Sequence, residues 1–214
     1  MKIKICGMKF PENINEIGAM CPDFMGFIFY PESGRYVGKH FTRAFTSSLP
    51  KSIKKVGVFV NDSISQISKI QQQFEFDYIQ LHGHESPSFC KELKEANMKI
   101  IKAFNINECF DFSILVQYKD DCEFFLFDTK GKNFGGNSEP FNWNILQKYK
   151  LNIPYLLSGG IGLNNIDDAL ALKDNMLVGF DLNSKLESGL ALKSKDITEN
   201  IIKTIRNYEY IQSR

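Results

Sequence analysis

Two reactive side chains stand at the ends of short apolar runs. Cys6 closes "KIKIC" just before Gly7, and Asp128 closes "FFLFD". A thiol, with an ordinary pKa of about 8.5, lies close enough to neutrality to act as a general base. A carboxylic acid can donate a proton if it holds one at neutral pH, which partial desolvation after an apolar run favours. A thiol facing a carboxyl therefore suits a shuttle in which one group removes a proton and the other gives one. Each residue alone has a plainer reading, since free Cys is among the most buried residue types and a strand-end Asp often caps a helix or pairs with a cation. A second set has the chemistry of anion binding. Gly159-Gly160 and Asn183-Ser184 follow apolar runs, and glycines let backbone N–H groups approach a phosphate. Arg35, in "YPESGR", has the fork that grips a carboxylate in two places, although position alone suits a solvated arginine equally well. His82 and His84 in "QLHGHE" have an HxH spacing, but the only other histidine, His40, lies in an irregular stretch. Three ligands are hard to assemble from this set. No metal is expected, and His82 reads as a packed or hydrogen-bonded strand-end residue.

The elements that must position these residues are legible as alternation. Strands are expected over 2–6, 24–29, 55–60, 78–81, 99–104, 124–128, 155–158 and 177–181, with stretches of helical length between them. In "NDSISQISKIQQQF", Ile64, Ile67, Ile70 and Phe74 form one stripe, with Asn61 or Asp62 as cap. "HESPSFCKELKEANM" opens on Ser86-Pro87, suited to a helix N-terminus. "LNNIDDALAL" and "SKDITENIIKTIRNY" also read as helices, and a short one is expected near 42–48 in the irregular stretch 30–52. Eight alternations in 214 residues imply parallel strands with right-handed crossovers. The expected fold is a single α/β domain over 1–214, a (β/α)8 TIM barrel. An open doubly wound sheet would want a GxGxxG turn after the first strand, and Cys6-Gly7-Met8-Lys9 supplies none. In such a barrel chemistry sits at the carboxyl ends of the strands, and the loops after strands seven and eight often bind phosphate. Cys6 and Asp128 would end strands one and six, three steps apart around the ring.

The hydrophobic share of 43 % and the charged share of 24 % are those of an ordinary soluble globule. A net charge of +1, from 26 basic and 25 acidic residues, gives no reason to expect nucleic acid or an anionic membrane as partner. No apolar run approaches the roughly 20 residues of a membrane span, and the N-terminus shows no secretory h-region. Five cysteines without a CxxC pair suggest reduced thiols in the cytoplasm. The expected partner is a small phosphorylated substrate, and the expected state a monomer or weak homodimer.

Taken in order, "KICGMK", "FIFYPESGRYV", "VGVFVN", "IQLHGHE", "FLFDTK…FGGNSEPFNW", "LLSGGI" and "FDLNSKLE" resemble the phosphoribosylanthranilate isomerase family of tryptophan biosynthesis over nearly the whole chain. The resemblance implies a (β/α)8 barrel that performs an Amadori rearrangement of N-(5-phosphoribosyl)anthranilate without cofactor or metal. It implies that Cys6 is the general base, that Asp128 is the general acid, and that Arg35 meets the anthranilate carboxylate. It puts phosphate on Gly159-Gly160 and Asn183-Ser184-Lys185. Some positions depart from the family's pattern. Gly34 precedes Arg35 where proline is frequent, which would leave the arginine less preorganised. Ser138 stands where a glycine is usual, and Asn142 replaces an aspartate before Trp143. Lys185 stands where glycine is frequent, and the Pro-Gly common before the last helix is absent. The alternatives within the fold are another phosphosugar isomerase or a barrel that only binds a phosphorylated ligand; binding alone would need neither Cys6 nor Asp128.

Overall fold

A computed structural model describes residues 1–129 and 140–212. Eight strands close into a parallel barrel in chain order: β1 (Lys2–Ile5), β2 (Phe24–Ile28), β3 (Lys54–Phe59), β4 (Tyr78–Leu81), β5 (Ile100–Ile106), β6 (Phe124–Thr129), β7 (Tyr155–Leu157) and β8 (Leu177–Leu182), with β8 pairing back to β1. The expected (β/α)8 barrel is the fold. All eight expected strands are present, with ends shifted by two residues or fewer.

Strand alternation divides the side chains between two cores. Ile3, Ile5, Phe27, Phe59, Phe125 and Phe127 point outward into the layer between barrel and helices. Phe24, Val56, Val58, Ile101, Leu126 and Leu156 fill the barrel interior, with Cys6 at its upper end. Edge-on packing of Phe24 with Tyr78 and Phe124, at 5.6 and 6.0 Å between ring centres, closes the amino-terminal end. On β5 and β6 the inward positions run from apolar lower down, Ile101 and Leu126, to polar at the top, Asn105 and Asp128.

The outer layer is less regular than the sequence suggests. Helices are α1 (Pro11–Gly18), α2 (Ala44–Ser47), α3 (Ile64–Phe74), α4 (Pro87–Glu95), α5 (Ile166–Leu170) and α6 (Lys195–Gln212). The connections after β5 and β6 carry 3-10 helices, Phe112–Tyr118 and Trp143–Lys148. α3 buries Ile67, Ile70 and Phe74 as the stripe predicts, but its cap is Ser63, whose hydroxyl accepts the Gln66 N–H at 3.2 Å. Neither Asn61 nor Asp62 caps it: the Asn61 side chain accepts the His84 N–H, and Asp62 accepts the Ser63 N–H. Ser86 caps α4 with Pro87 in its first turn, as expected. A short antiparallel hairpin, β9 (Glu187–Gly189) and β10 (Leu192–Lys193), follows β8 and has no counterpart in the sequence reading.

Candidate active site

Cys6 lies just past β1, its N–H donating to the Leu182 carbonyl of β8 at 2.9 Å. Two residues on, the Met8 N–H donates to the Gly26 carbonyl of β2 at 3.0 Å. The intervening Gly7 has φ +75°, and a Cβ there would lie 2.8 Å from both Arg35 Cδ and Asn183 Oδ1. Only glycine gives this turn its hand and lets loops from β2 and β8 close over it. Cys6 is 3 % exposed, and burial pushes its thiol up; the neighbouring Lys4 ammonium opposes that shift.

Asp128 points inward from β6, one alternation above Leu126, and is 3 % exposed. It is held on both oxygens. Oδ1 accepts the Thr129 N–H at 2.8 Å, and Oδ2 lies 3.1 Å from His82 Nε2. The other ring nitrogen of His82 lies 2.8 Å from Gln80 Nε2. The His82 ring thus links Gln80 on its own strand to the Asp128 carboxyl. The sequence suggested a packed or hydrogen-bonded His82; the finding is that its partner is Asp128, 46 residues away. Alternation along β4 carried the hint, because Gln80 and His82 share the inward face. Asn105, the β5 register partner of Asp128, has a buried side-chain oxygen with no hydrogen-bond partner among the described residues.

Arg35 is not a solvated arginine. Its Nε and Nη2 both donate to Glu187, each at 2.7 Å. Lys193 donates to Glu187 Oε1 at 2.7 Å and to Asn183 Oδ1 at 2.6 Å. Burial pushes the Glu187 carboxyl up, but Arg35 and Lys193 outweigh it and hold it below its ordinary value. Burial holds Lys193 below its own ordinary value despite Glu187. Gly34 does not leave Arg35 loose, since Glu187 does the preorganising; Gly34 instead accommodates Leu190, whose Cδ2 would lie 2.9 Å from a Cβ there. The free edge of the guanidinium, Nη1 and the second Nη2 proton, is the part left for a further carboxylate.

The candidate phosphate residues occupy two touching loops. Gly159 and Gly160 both have positive φ, +91° and +70°, directly after β7. Asn165 secures that loop, accepting the Gly162 N–H at 2.9 Å and donating to the Gly160 carbonyl at 3.1 Å. Asn183 follows β8, and Ser184 and Lys185 open the 3-10 helix Ser184–Leu186. The Lys185 stem lies over the first loop, its Cβ 2.8 Å from where a Cβ on Gly162 would be. Lys185 is not among the described positive-φ residues, so its position makes no demand for glycine. Asn142 caps its 3-10 helix through the Asn144 N–H, as expected for an aspartate replacement. Ser138 lies outside the described residues. Among the described residues no group of three or more His, Cys, Asp or Glu is arranged to hold a metal ion.

Fold and site together define a (β/α)8 barrel with its polar side chains gathered at the carboxyl ends of the strands, the enzymes' end of such barrels. The family model for N-(5'phosphoribosyl)anthranilate (PRA) isomerase matches residues 3–204, and the chain belongs to that family. An N-(5'-phosphoribosyl)anthranilate isomerase from Phocaeicola vulgatus is 41 % identical over 206 residues, covering 96 % of this chain and 98 % of the relative. One from Parabacteroides distasonis is also 41 % identical, covering 96 % and 93 %. The crystal structure of phosphoribosyl anthranilate isomerase from Thermotoga maritima superposes with a TM-score of 0.85 at 27 % identity, covering 97 % of this chain and 99 % of that one. Another such isomerase was solved in complex with reduced 1-(o-carboxyphenylamino)-1-deoxyribulose 5-phosphate, with a TM-score of 0.82, 26 % identity and coverage of 97 % and 99 %.

Proposed function

We propose that this chain is the isomerase of tryptophan biosynthesis that converts N-(5-phosphoribosyl)anthranilate to 1-(2-carboxyphenylamino)-1-deoxyribulose 5-phosphate. Asp128 gives its proton to the furanose ring oxygen. The C1′–O bond breaks, and the anthranilate nitrogen lone pair forms the C1′=N bond of a protonated Schiff base. The Cys6 thiolate then takes the C2′ proton, and the C–H electrons form C1′=C2′ as the iminium becomes an amine. The resulting enol tautomerises to the ketone, gaining a proton at C1′ and losing one from the C2′ hydroxyl. C2′ is oxidised and C1′ reduced within one molecule, so no oxidant or reductant is needed, and passage of one proton from Cys6 through solvent to Asp128 restores both groups. The substrate phosphate fits the Gly159-Gly160 and Asn183-Ser184-Lys185 loops. Its anthranilate carboxylate fits the free edge of Arg35.

What supports this reading most is one observation. Cys6 and Asp128 end inward-facing positions on β1 and β6, three strands apart around a closed barrel whose chain belongs to this family. A binding module would need neither group. The chain contains no helix long and apolar enough to cross a membrane among the described residues. With its near-zero net charge this suits a cytoplasmic enzyme acting on a small phosphorylated substrate and not on nucleic acid. A solved relative from Thermotoga maritima is a dimeric phosphoribosylanthranilate isomerase from which monomers were generated, and we take this chain to be a monomer or weak homodimer.

The test is conversion of freshly made phosphoribosylanthranilate, followed by loss of its fluorescence. Wild type is expected to turn it over. Cys6→Ser and Asp128→Asn are expected to fold and bind while losing turnover, by a factor of at least about a hundred. Wild-type rates in either variant would sink the assignment of that residue, and no conversion by wild type would sink the function.

A further inference from the structure

The acid–base scheme leaves unused a charge buried directly beneath its base. Lys4 stands two residues before Cys6 on β1, on the same inward face, and is 0 % exposed. Its Nζ donates to Asp181 Oδ1 on β8 at 2.7 Å, and the Cys6 thiol is the next side chain on the same inward face. Asp181 Oδ2 is reached in turn by the Ser158 hydroxyl of β7 at 3.4 Å. On the other side β2 makes room. A Cβ on Gly26 would lie 2.7 Å from Cys6 Sγ and 3.2 Å from Lys4 Nζ, so no other residue type leaves both in place. Other interior positions hold Val56, Val58, Ile101, Leu126 and Leu156, and an apolar side chain in place of a buried ion pair is commonly neutral or better for stability. An ammonium here therefore calls for another reason than packing.

We propose that Lys4 is a positioning residue for the reaction: its ammonium fixes the Cys6 sulfur and stabilises the thiolate, while Asp181 tempers its charge. This rests on the reading of Cys6 as the base. The charge balance suits the step. Before proton abstraction, thiolate, ammonium and carboxylate sum to −1; afterwards the neutral thiol leaves a neutral Lys4–Asp181 pair, and nothing else need move. Four charged groups act on the thiol: Lys4 from β1, Asp181 from β8, Arg35 from the loop after β2 and Lys193 from β10. Arg35 and Lys193 share Glu187 as counter-ion, so they act on the thiol in weakened form. Burial is the largest influence and pushes the thiol up; Lys4 is the strongest opposing charge, and Asp181 works against it.

The two members of one ion pair should therefore move Cys6 in opposite directions, which a merely structural role would not do. Ionisation of Cys6 is read as thiolate ultraviolet absorbance against pH, taken as the difference between each variant and the same variant carrying Cys6→Ser. Asp181→Asn is expected to shift it to lower pH. Lys4→Met is expected to shift it to higher pH by at least about one unit, which is tenfold in thiolate fraction. The kcat/KM of Lys4→Met should fall on the order of tenfold at neutral pH and recover as pH rises. Where Lys4→Met fails to fold because Asp181 is left uncompensated, the double variant Lys4→Met/Asp181→Asn buries no charge and serves instead. It should ionise at higher pH than Asp181→Asn alone. An unmoved Cys6 titration, or shifts in the same direction for Lys4→Met and Asp181→Asn, overturns the proposal for Lys4 and leaves Cys6 as base. Full turnover by Cys6→Ser overturns the base itself, whatever the titrations show.

Discussion

Arg35 shows how one residue's role depends on who holds it. An exposed arginine aimed at a substrate carboxylate would lose side-chain entropy on binding. Here Glu187 has already taken the Nε and Nη2 donors, and Lys193 secures Glu187 from behind. The guanidinium is fixed before any ligand arrives, and a second carboxylate needs only to dock on the remaining edge. A charged hydrogen-bond pair is worth about 1.5–3 kcal/mol. Arg35→Ala is thus expected to raise KM for the anthranilate-bearing substrate roughly tenfold to a hundredfold, with kcat reduced much less. Initial-rate measurements decide it, and an unchanged KM would reject the carboxylate clamp. Glu187→Gln should raise KM by less, since the arginine stays but is less firmly held.

At the scale of elements, the barrel's alternation was readable and the side-chain partnerships were not. "KIKIC" announced a strand, and its isoleucines do turn outward to the helices while Lys4 and Cys6 turn inward. Strand ends pointed to Cys6, Asp128 and the loops at Gly159-Gly160 and Asn183-Ser184 as candidates, because this fold places chemistry there. Nothing local linked Lys4 to Asp181, 177 residues on, or Arg35 to Glu187, 152 residues on; closure of β8 against β1 creates the first pair, and the unforeseen β9–β10 hairpin brings in Lys193. The 3-10 segments after β5 and β6 escaped for a related reason, since short apolar stretches of that length do not distinguish helix types. Gly26 is the gap that admits both the Cys6 sulfur and the Lys4 ammonium. Gly26→Ala forces one of them aside. Overpacking of this kind costs about 1–3 kcal/mol, and the same displacement moves the thiol proposed as the base off its substrate. Urea melts should show that modest loss of stability, with turnover falling by roughly a hundredfold. A variant of near-normal activity would show that the sulfur has slack the structure does not suggest.

For the whole molecule, the charges at the carboxyl end tie the barrel's opening and closing strands together. Arg35 follows β2, Glu187 begins β9, Lys193 ends β10 and Asn183 follows β8, so one network holds four segments separated by up to 158 residues. Its acid sensitivity can be signed. The folded-state pKa of Glu187 lies below its ordinary value of 4.5, because Arg35 and Lys193 outweigh the effect of burial. The folded state therefore binds the Glu187 proton less readily than the unfolded chain does. The stability this contributes is present in full above about pH 4.5 and is lost as pH falls through the lower folded value. Glu187→Gln cannot titrate, so its stability should fall less steeply than that of wild type over this acid range, although it starts lower at neutral pH. Urea unfolding midpoints measured from pH 7 down through pH 3 would show the two curves converging. Parallel curves would mean that the network is formed to the same extent in the unfolded chain, and that the carboxyl-end charges act on the substrate alone and not on the fold.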